Sequence, residues 1–147
     1  MIATPLETIF PALGLHDPEV SVVLTDDEEI HGLNLQWRGE DKPTDVLSFP
    51  IYEAEDLPED PFALGDIIIS LPCAERMVAT SEHRNRVAAE LQVEPSSLHW
   101  GLEEEVLFLF LHGLLHLLGY DHGSPDEERL MKQKERELWT LMSPARQ

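Results

Sequence analysis

The residues best suited to chemistry lie near the end of the chain, in His112-Gly-Leu-Leu-His116-Leu-Leu-Gly119-Tyr120-Asp121-His122. Three imidazoles at spacings of four and six residues, with a glycine between the second and third, follow the H-x-x-x-H-x-x-G-x-x-H pattern of zinc sites. Residues four apart on a helix share a face, so His112 and His116 can aim at one point. Gly119 can take the left-handed conformation that ends a helix, and His122 can then return to face the first two. Three nitrogen donors with a fourth position open is the arrangement of a catalytic rather than a structural zinc. Asp121 or a backbone carbonyl is the expected acceptor for a remaining imidazole N–H. The position after the first histidine, where a zinc peptidase carries its glutamate base, is Gly113.

The competing reading is three core histidines with ordinary hydrogen-bond partners. The surrounding run, from Leu107 to Leu118, is apolar nearly all round and therefore belongs to a buried helix. A buried imidazole without a partner costs on the order of 1–3 kcal/mol. One shared metal satisfies all three, so the metal reading is preferred. Zinc suits such a donor set, as do nickel and copper. His16, His31, His83 and His99 lack this spacing and read as surface or structural residues.

The helper groups decide what an activated water attacks. Peptide hydrolysis wants a carboxylate base beside the water. Gly113 cannot supply one, and Glu103 to Glu105 lie two turns earlier, roughly 10–13 Å along the axis. Asp66 reads as a structural residue. Phosphoryl transfer wants cationic charge on the equatorial oxygens, for which arginine is well suited. Arg38 and Lys42 offer it from the polar loop Arg38-Gly-Glu-Asp-Lys-Pro-Thr-Asp45. His83-Arg84-Asn85-Arg86 is the densest basic cluster, equally explained as a solvated helix face. Trp37, Phe49 and Tyr120 could stack bases but read as core.

These groups need a frame. A chain of 147 residues is long enough for one domain, residues 1–147, with a sizeable core. The net charge of −19 argues against broad, non-specific binding to nucleic acid, leaving room only for a local basic cleft. A single cysteine, Cys73, permits no intrachain disulfide, suits a reducing compartment and reads as an inert thiol. Met1 to Phe10 lacks the pattern of a signal peptide. The longest apolar stretch, Val106 to Leu118, is too short to span a bilayer. A cytoplasmic protein without a membrane segment is expected.

The alternating run Glu19 to Thr25 predicts a strand. A capping box of Thr25 and Glu28 predicts a helix over about 26–37. Short strands are expected at Val46 to Phe49 and Gly65 to Ser70, with an acidic exposed loop over 52–62. Ser70 should cap one long helix, Pro72 to about Leu91. The histidine helix should run from Glu103 to Leu118, with Gly119 as its C-terminal cap. Ser124-Pro125-Asp126-Glu127 should open the last helix. The fold class is α+β: a small mixed sheet of three to four strands packed with four to five helices, the metal site on a buried central helix.

Three segments, Asn34 to Pro50 (NLQWRGEDKPTDVLSFP), Leu64 to Ser70 (LGDIIIS) and His112 to His122 (HGLLHLLGYDH), resemble in order the motifs of the YbeY endoribonucleases, or rRNA maturation factors. The resemblance spans about residues 20–140. It implies a metal-dependent, single-strand-specific RNA hydrolase with one Zn²⁺ per chain on His112, His116 and His122. It implies that Arg38 is catalytic and contacts substrate, with Lys42 where the family has Lys or Arg. It further implies action on ribosomal RNA of the small subunit at its 3′ end, ribosome quality control, and ribosomal protein and a ribosome-assembly GTPase as partners. The chain departs from the family pattern in two ways. It starts at about its first helix, Pro5 to Leu13, where the family has a preceding strand, and it carries Glu40 where the family often has a second basic residue. The rival readings are a metallopeptidase on the same three histidines and a non-catalytic ribosome-assembly protein with a structural metal.

Overall fold

The computed structural model describes residues 3–142. Among them the elements run α1 (Ala3–Ala12), β1 (Glu19–Thr25), α2 (Asp27–Arg38), β2 (Val46–Pro50), β3 (Ala63–Ser70), α3 (Leu71–Val78), α4 (Ser81–Leu91), α5 (Leu102–Leu117) and α6 (Pro125–Met142). Short 3₁₀ turns occupy Ala54–Asp56 and Pro95–Ser97. The three strands form one mixed sheet in the order β1-β3-β2, so the α+β expectation holds. The central strand is the most apolar one: Leu64, Ile67, Ile68 and Ile69 are all buried.

Residues cluster into two compact units. One comprises 1–21, 48–66 and 111–147; its core includes Ile9, Phe10, Leu64, Leu111, Leu114, Leu115, Met131 and Leu138, and α1 packs on α6. The other comprises 22–47 and 67–110, with Ile30, Ile67, Ile69, Ala74, Ala88, Leu107 and Phe110 in its core.

Three local expectations are corrected. The helix expected from Pro72 to Leu91 is two helices. Thr80 interrupts it: its hydroxyl donates to the Met77 carbonyl at 3.0 Å and accepts from the His83 N–H at 3.2 Å, capping α4. A threonine that hydrogen-bonds backbone locally competes with helix continuation. The cap of α2 is Asp26, whose carboxylate accepts from the Glu29 N–H at 2.9 Å; Thr25 donates to the Glu29 side chain instead. Trp37 is exposed rather than core, at 63%. Ser70 and Ser124 cap α3 and α6 as expected.

Gly65 fixes how β3 meets its neighbours. Its φ is +138°, and a Cβ there lies 2.2 Å from the Phe49 carbonyl oxygen and 3.1 Å from the Leu117 side chain. Only glycine fits between β2 and the end of α5 at this point.

Candidate metal centre

Helix α5 is buried on almost every side. Beyond its exposed first residues, Leu102 and Glu103, the exception is a half-exposed stripe at Glu104, Phe108, His112 and His116, four residues apart, so the two histidines share the strip that meets solvent. Gly113 points elsewhere. It is buried, and its carbonyl accepts from the Ser48 hydroxyl of β2 at 3.3 Å. The position of the peptidase glutamate is here a helix-to-sheet contact, not a gap in the site.

The chain reverses after α5 through a glycine cap. The Gly119 N–H donates to the His116 carbonyl at 3.0 Å and the Tyr120 N–H to the Leu115 carbonyl at 3.0 Å, with Gly119 at φ +98°. This is the Schellman pattern, and its glycine answers the left-handed turn. The reversal carries the Tyr120 carbonyl back onto His116, whose Nδ1 lies 2.9 Å away. A carbonyl only accepts, so Nδ1 of His116 carries the proton and Nε2 its lone pair. His112 is held in the same way from α6: its Nδ1 is 3.2 Å from Oε2 of Glu135.

The two Nε2 atoms then face each other at 3.2 Å. With both Nδ1–H groups directed at acceptors, neither Nε2 has a proton to give the other. A proton or a cation between them relieves the repulsion of the two lone pairs. Burial, followed by the neighbouring His112 and His122, holds the His116 imidazole below the usual histidine range and opposes the proton. Ligand atoms of His112, His116 and His122 all lie within 4.8 Å of one another. Tetrahedral zinc with Zn–N of about 2.05 Å separates its nitrogens by about 3.3 Å, close to the spacing of the first pair. The donor set therefore fits a metal ion. His122 is the exposed member, its backbone N–H donating to its neighbour Asp121 at 2.8 Å.

Arg38, Lys42, the basic cluster and Cys73 fall into the unit that does not contain these histidines, whereas Phe49, Asp66 and Tyr120 fall into the one that does. Arg38 is the last residue of α2, exposed, and followed by Gly39 in the left-handed conformation. The loop after it is tied back to α2: Asn34 donates to the Lys42 carbonyl at 2.9 Å, and His31 and Asp41 pair at 2.7 Å. Lys42 is exposed, with its ammonium 3.9 Å from the Glu40 carboxylate. Arg84 of the basic cluster is structural, its guanidinium donating to the Leu98 and Trp100 carbonyls. Glu105 is buried and accepts from the Trp100 indole at 2.8 Å, with His83 at 2.7 Å. Cys73 is half-buried, and burial raises its thiol pKa, then Asp45, so its nucleophilic thiolate is disfavoured. No helix among the described residues is long and apolar enough to cross a membrane.

Glu135 was not singled out from the sequence. The signal was present: it occupies a core position of an amphipathic helix, among Met131, Leu138 and Trp139. A carboxylate there asks for a partner.

Fold and site together describe an α+β protein with a three-imidazole centre able to hold a metal ion. The sequence matches the family described as Endoribonuclease YbeY over residues 2–143. It is 44% identical over 124 residues to the Endoribonuclease YbeY of Pelotomaculum thermopropionicum, covering 83% of this chain and 70% of that one. It is 43% identical over 132 residues to that of Aquifex aeolicus, covering 90% and 73%. A Thermotoga maritima protein solved in solution is 29% identical, with a TM-score of 0.44 over 93% of this chain and 83% of that one. The chain belongs to the YbeY family of endoribonucleases.

Proposed function

We propose that the protein is a zinc-dependent, single-strand-specific endoribonuclease that matures ribosomal RNA at the 3′ end of the small-subunit RNA and serves ribosome quality control in the cytoplasm. In this reading residues 1–147 act as one hydrolase domain. Its partners are the small ribosomal subunit, ribosomal protein and a ribosome-assembly GTPase. Family membership supports the substrate class. The observation that carries the metal is the pair of Nε2 atoms 3.2 Å apart, with both Nδ1 atoms already directed at acceptors.

His112, His116 and His122 hold one Zn²⁺. When bound there, a divalent ion would supply Lewis acidity for activating water and polarising a phosphoryl oxygen. The Tyr120 carbonyl keeps the proton of His116 on Nδ1, which leaves Nε2 available as a ligand. The guanidinium of Arg38 offsets negative charge on the phosphate as it builds during cleavage, and Lys42 binds a phosphate as a point charge. Glu105 is committed to His83 and Trp100, and Glu135 lies on the Nδ1 side of His112, away from its Nε2. Neither is poised as a peptidase base, so the phosphate reading is favoured.

The test is cleavage of single-stranded RNA and of small-subunit RNA by parent, Arg38→Ala and His116→Ala proteins, with elemental analysis of each. One zinc per chain in the parent, with loss of at least about 100-fold in cleavage in both variants, is expected. Parental cutting by both variants means that the activity is a contaminant, and the proposal fails.

A further inference from the structure

Glu135 sits on α6 at 3% exposure, with Met131, Leu138 and Trp139 buried on the same helix. Its carboxylate has one ion-pair partner among the described residues, Nδ1 of His112 at 3.2 Å. A carboxylate so enclosed, served by one imidazole N–H, is costly unless positive charge lies nearby. Of the two acceptors expected from the sequence, Asp121 is bonded to the backbone of His122, and the backbone carbonyl is that of Tyr120, which serves His116.

We infer that Glu135 is a positioning residue of the metal centre: by accepting the Nδ1–H of His112 it fixes the tautomer that frees Nε2 for the ion. The inference rests on the metal reading above and deepens it. The ring orientation follows from the same bond, because Nδ1 is tethered to α6 while Cβ is tethered to α5. A divalent ion beyond the imidazole supplies the charge that the enclosed carboxylate lacks, and the carboxylate in turn raises the basicity of His112 as a ligand. Carboxylate and ion thus favour each other across one ring. The last helix is thereby part of the site, although it supplies none of the three ligands.

The test compares Glu135→Gln and Glu135→Met with the parent. Glutamine keeps the shape but loses the charge and can present its NH₂ to His112, permitting the wrong tautomer. Methionine fills the volume and removes the acceptor. Apo proteins are titrated with Zn²⁺ and with Co²⁺ against a chromophoric chelator, and their melting is followed without metal. The expected result is affinity weakened by about 10–100-fold in both variants, an altered Co²⁺ visible spectrum, and apo melting unchanged or raised. In ¹⁵N-histidine NMR of the apo parent, which involves no substitution, His112 should carry its proton on Nδ1. Affinity within about threefold of the parent in both variants, or a His112 proton on Nε2, overturns the inference. A parent that takes up no ion overturns the metal reading itself, and the two failures are distinct.

Discussion

Replacing Gly119 by alanine is expected to loosen the metal centre without touching a ligand. At φ +98° the new side chain meets a conformation that costs an L-residue about 1–3 kcal/mol. Its Cβ also lies 2.8 Å from Cβ and 3.3 Å from Cα of Ala54. Carbon contacts settle near 3.5–4.0 Å, so the two must part by about 0.7 Å or more. The yielding element is the turn that delivers His122, three residues on. Metal–ligand distances tolerate only about 0.2 Å, so the third imidazole is displaced beyond its useful range. Zinc affinity, measured by competition with a chromophoric chelator, should weaken at least about tenfold, equivalent to about 1.4 kcal/mol. Apo melting should fall by about 2–12 °C, the strain divided by the unfolding entropy of a chain this size. Adding Ala54→Gly removes the shortest contact but not the backbone strain, so it should restore part of the loss. A Gly119→Ala protein that melts lower yet binds zinc like the parent refutes the reasoning, since the cap would then not set the position of His122.

Metal retention should fall with pH. The neutral form of His116 is favoured in the fold, so the unfolded chain binds its proton more readily; this stability is present above about pH 6.5 and is lost below it. Dialysis at graded pH with elemental analysis should show zinc leaving below about pH 6.5, and full retention near pH 4.5 would argue against three imidazole ligands. Gly65→Ala drives a Cβ to 2.2 Å from a strand carbonyl, which cannot rotate away, and should cost about 3–5 kcal/mol in urea unfolding; a loss under about 1 kcal/mol would contradict that geometry. Glu40→Lys removes the carboxylate beside Lys42 and should tighten binding to single-stranded RNA while steepening its salt dependence by about 0.7 in logarithmic slope. An unchanged slope in filter binding would place this loop outside the phosphate path.

Much of the histidine cluster was legible because helical periodicity is a local property. His112 and His116 share a face by spacing alone, and Gly119 announces the reversal that returns His122. The strand at Glu19–Thr25 and the caps at Ser70 and Ser124 were equally readable from neighbouring residues. Thr80 was harder: a threonine within an apparently helical run either tolerates the helix or caps a new one, and its hydroxyl bonds decide. Trp37 misled because a large apolar side chain is a good core candidate until the helix rotation is known.

Composition and spacing by themselves determined most of the secondary-structure classes, the single cysteine and the shared face of His112 and His116, since each follows from residue type or from contacts within about one helical turn. The tertiary structure decided what those imidazoles are held by. That Gly113 marks a helix-to-strand contact, that Tyr120 lends its carbonyl to His116, and that Glu135 reaches His112 from twenty-three residues away depends on packing of distant elements. A hydrogen bond of that range is set by how α6 lies on α5, and no local periodicity encodes it.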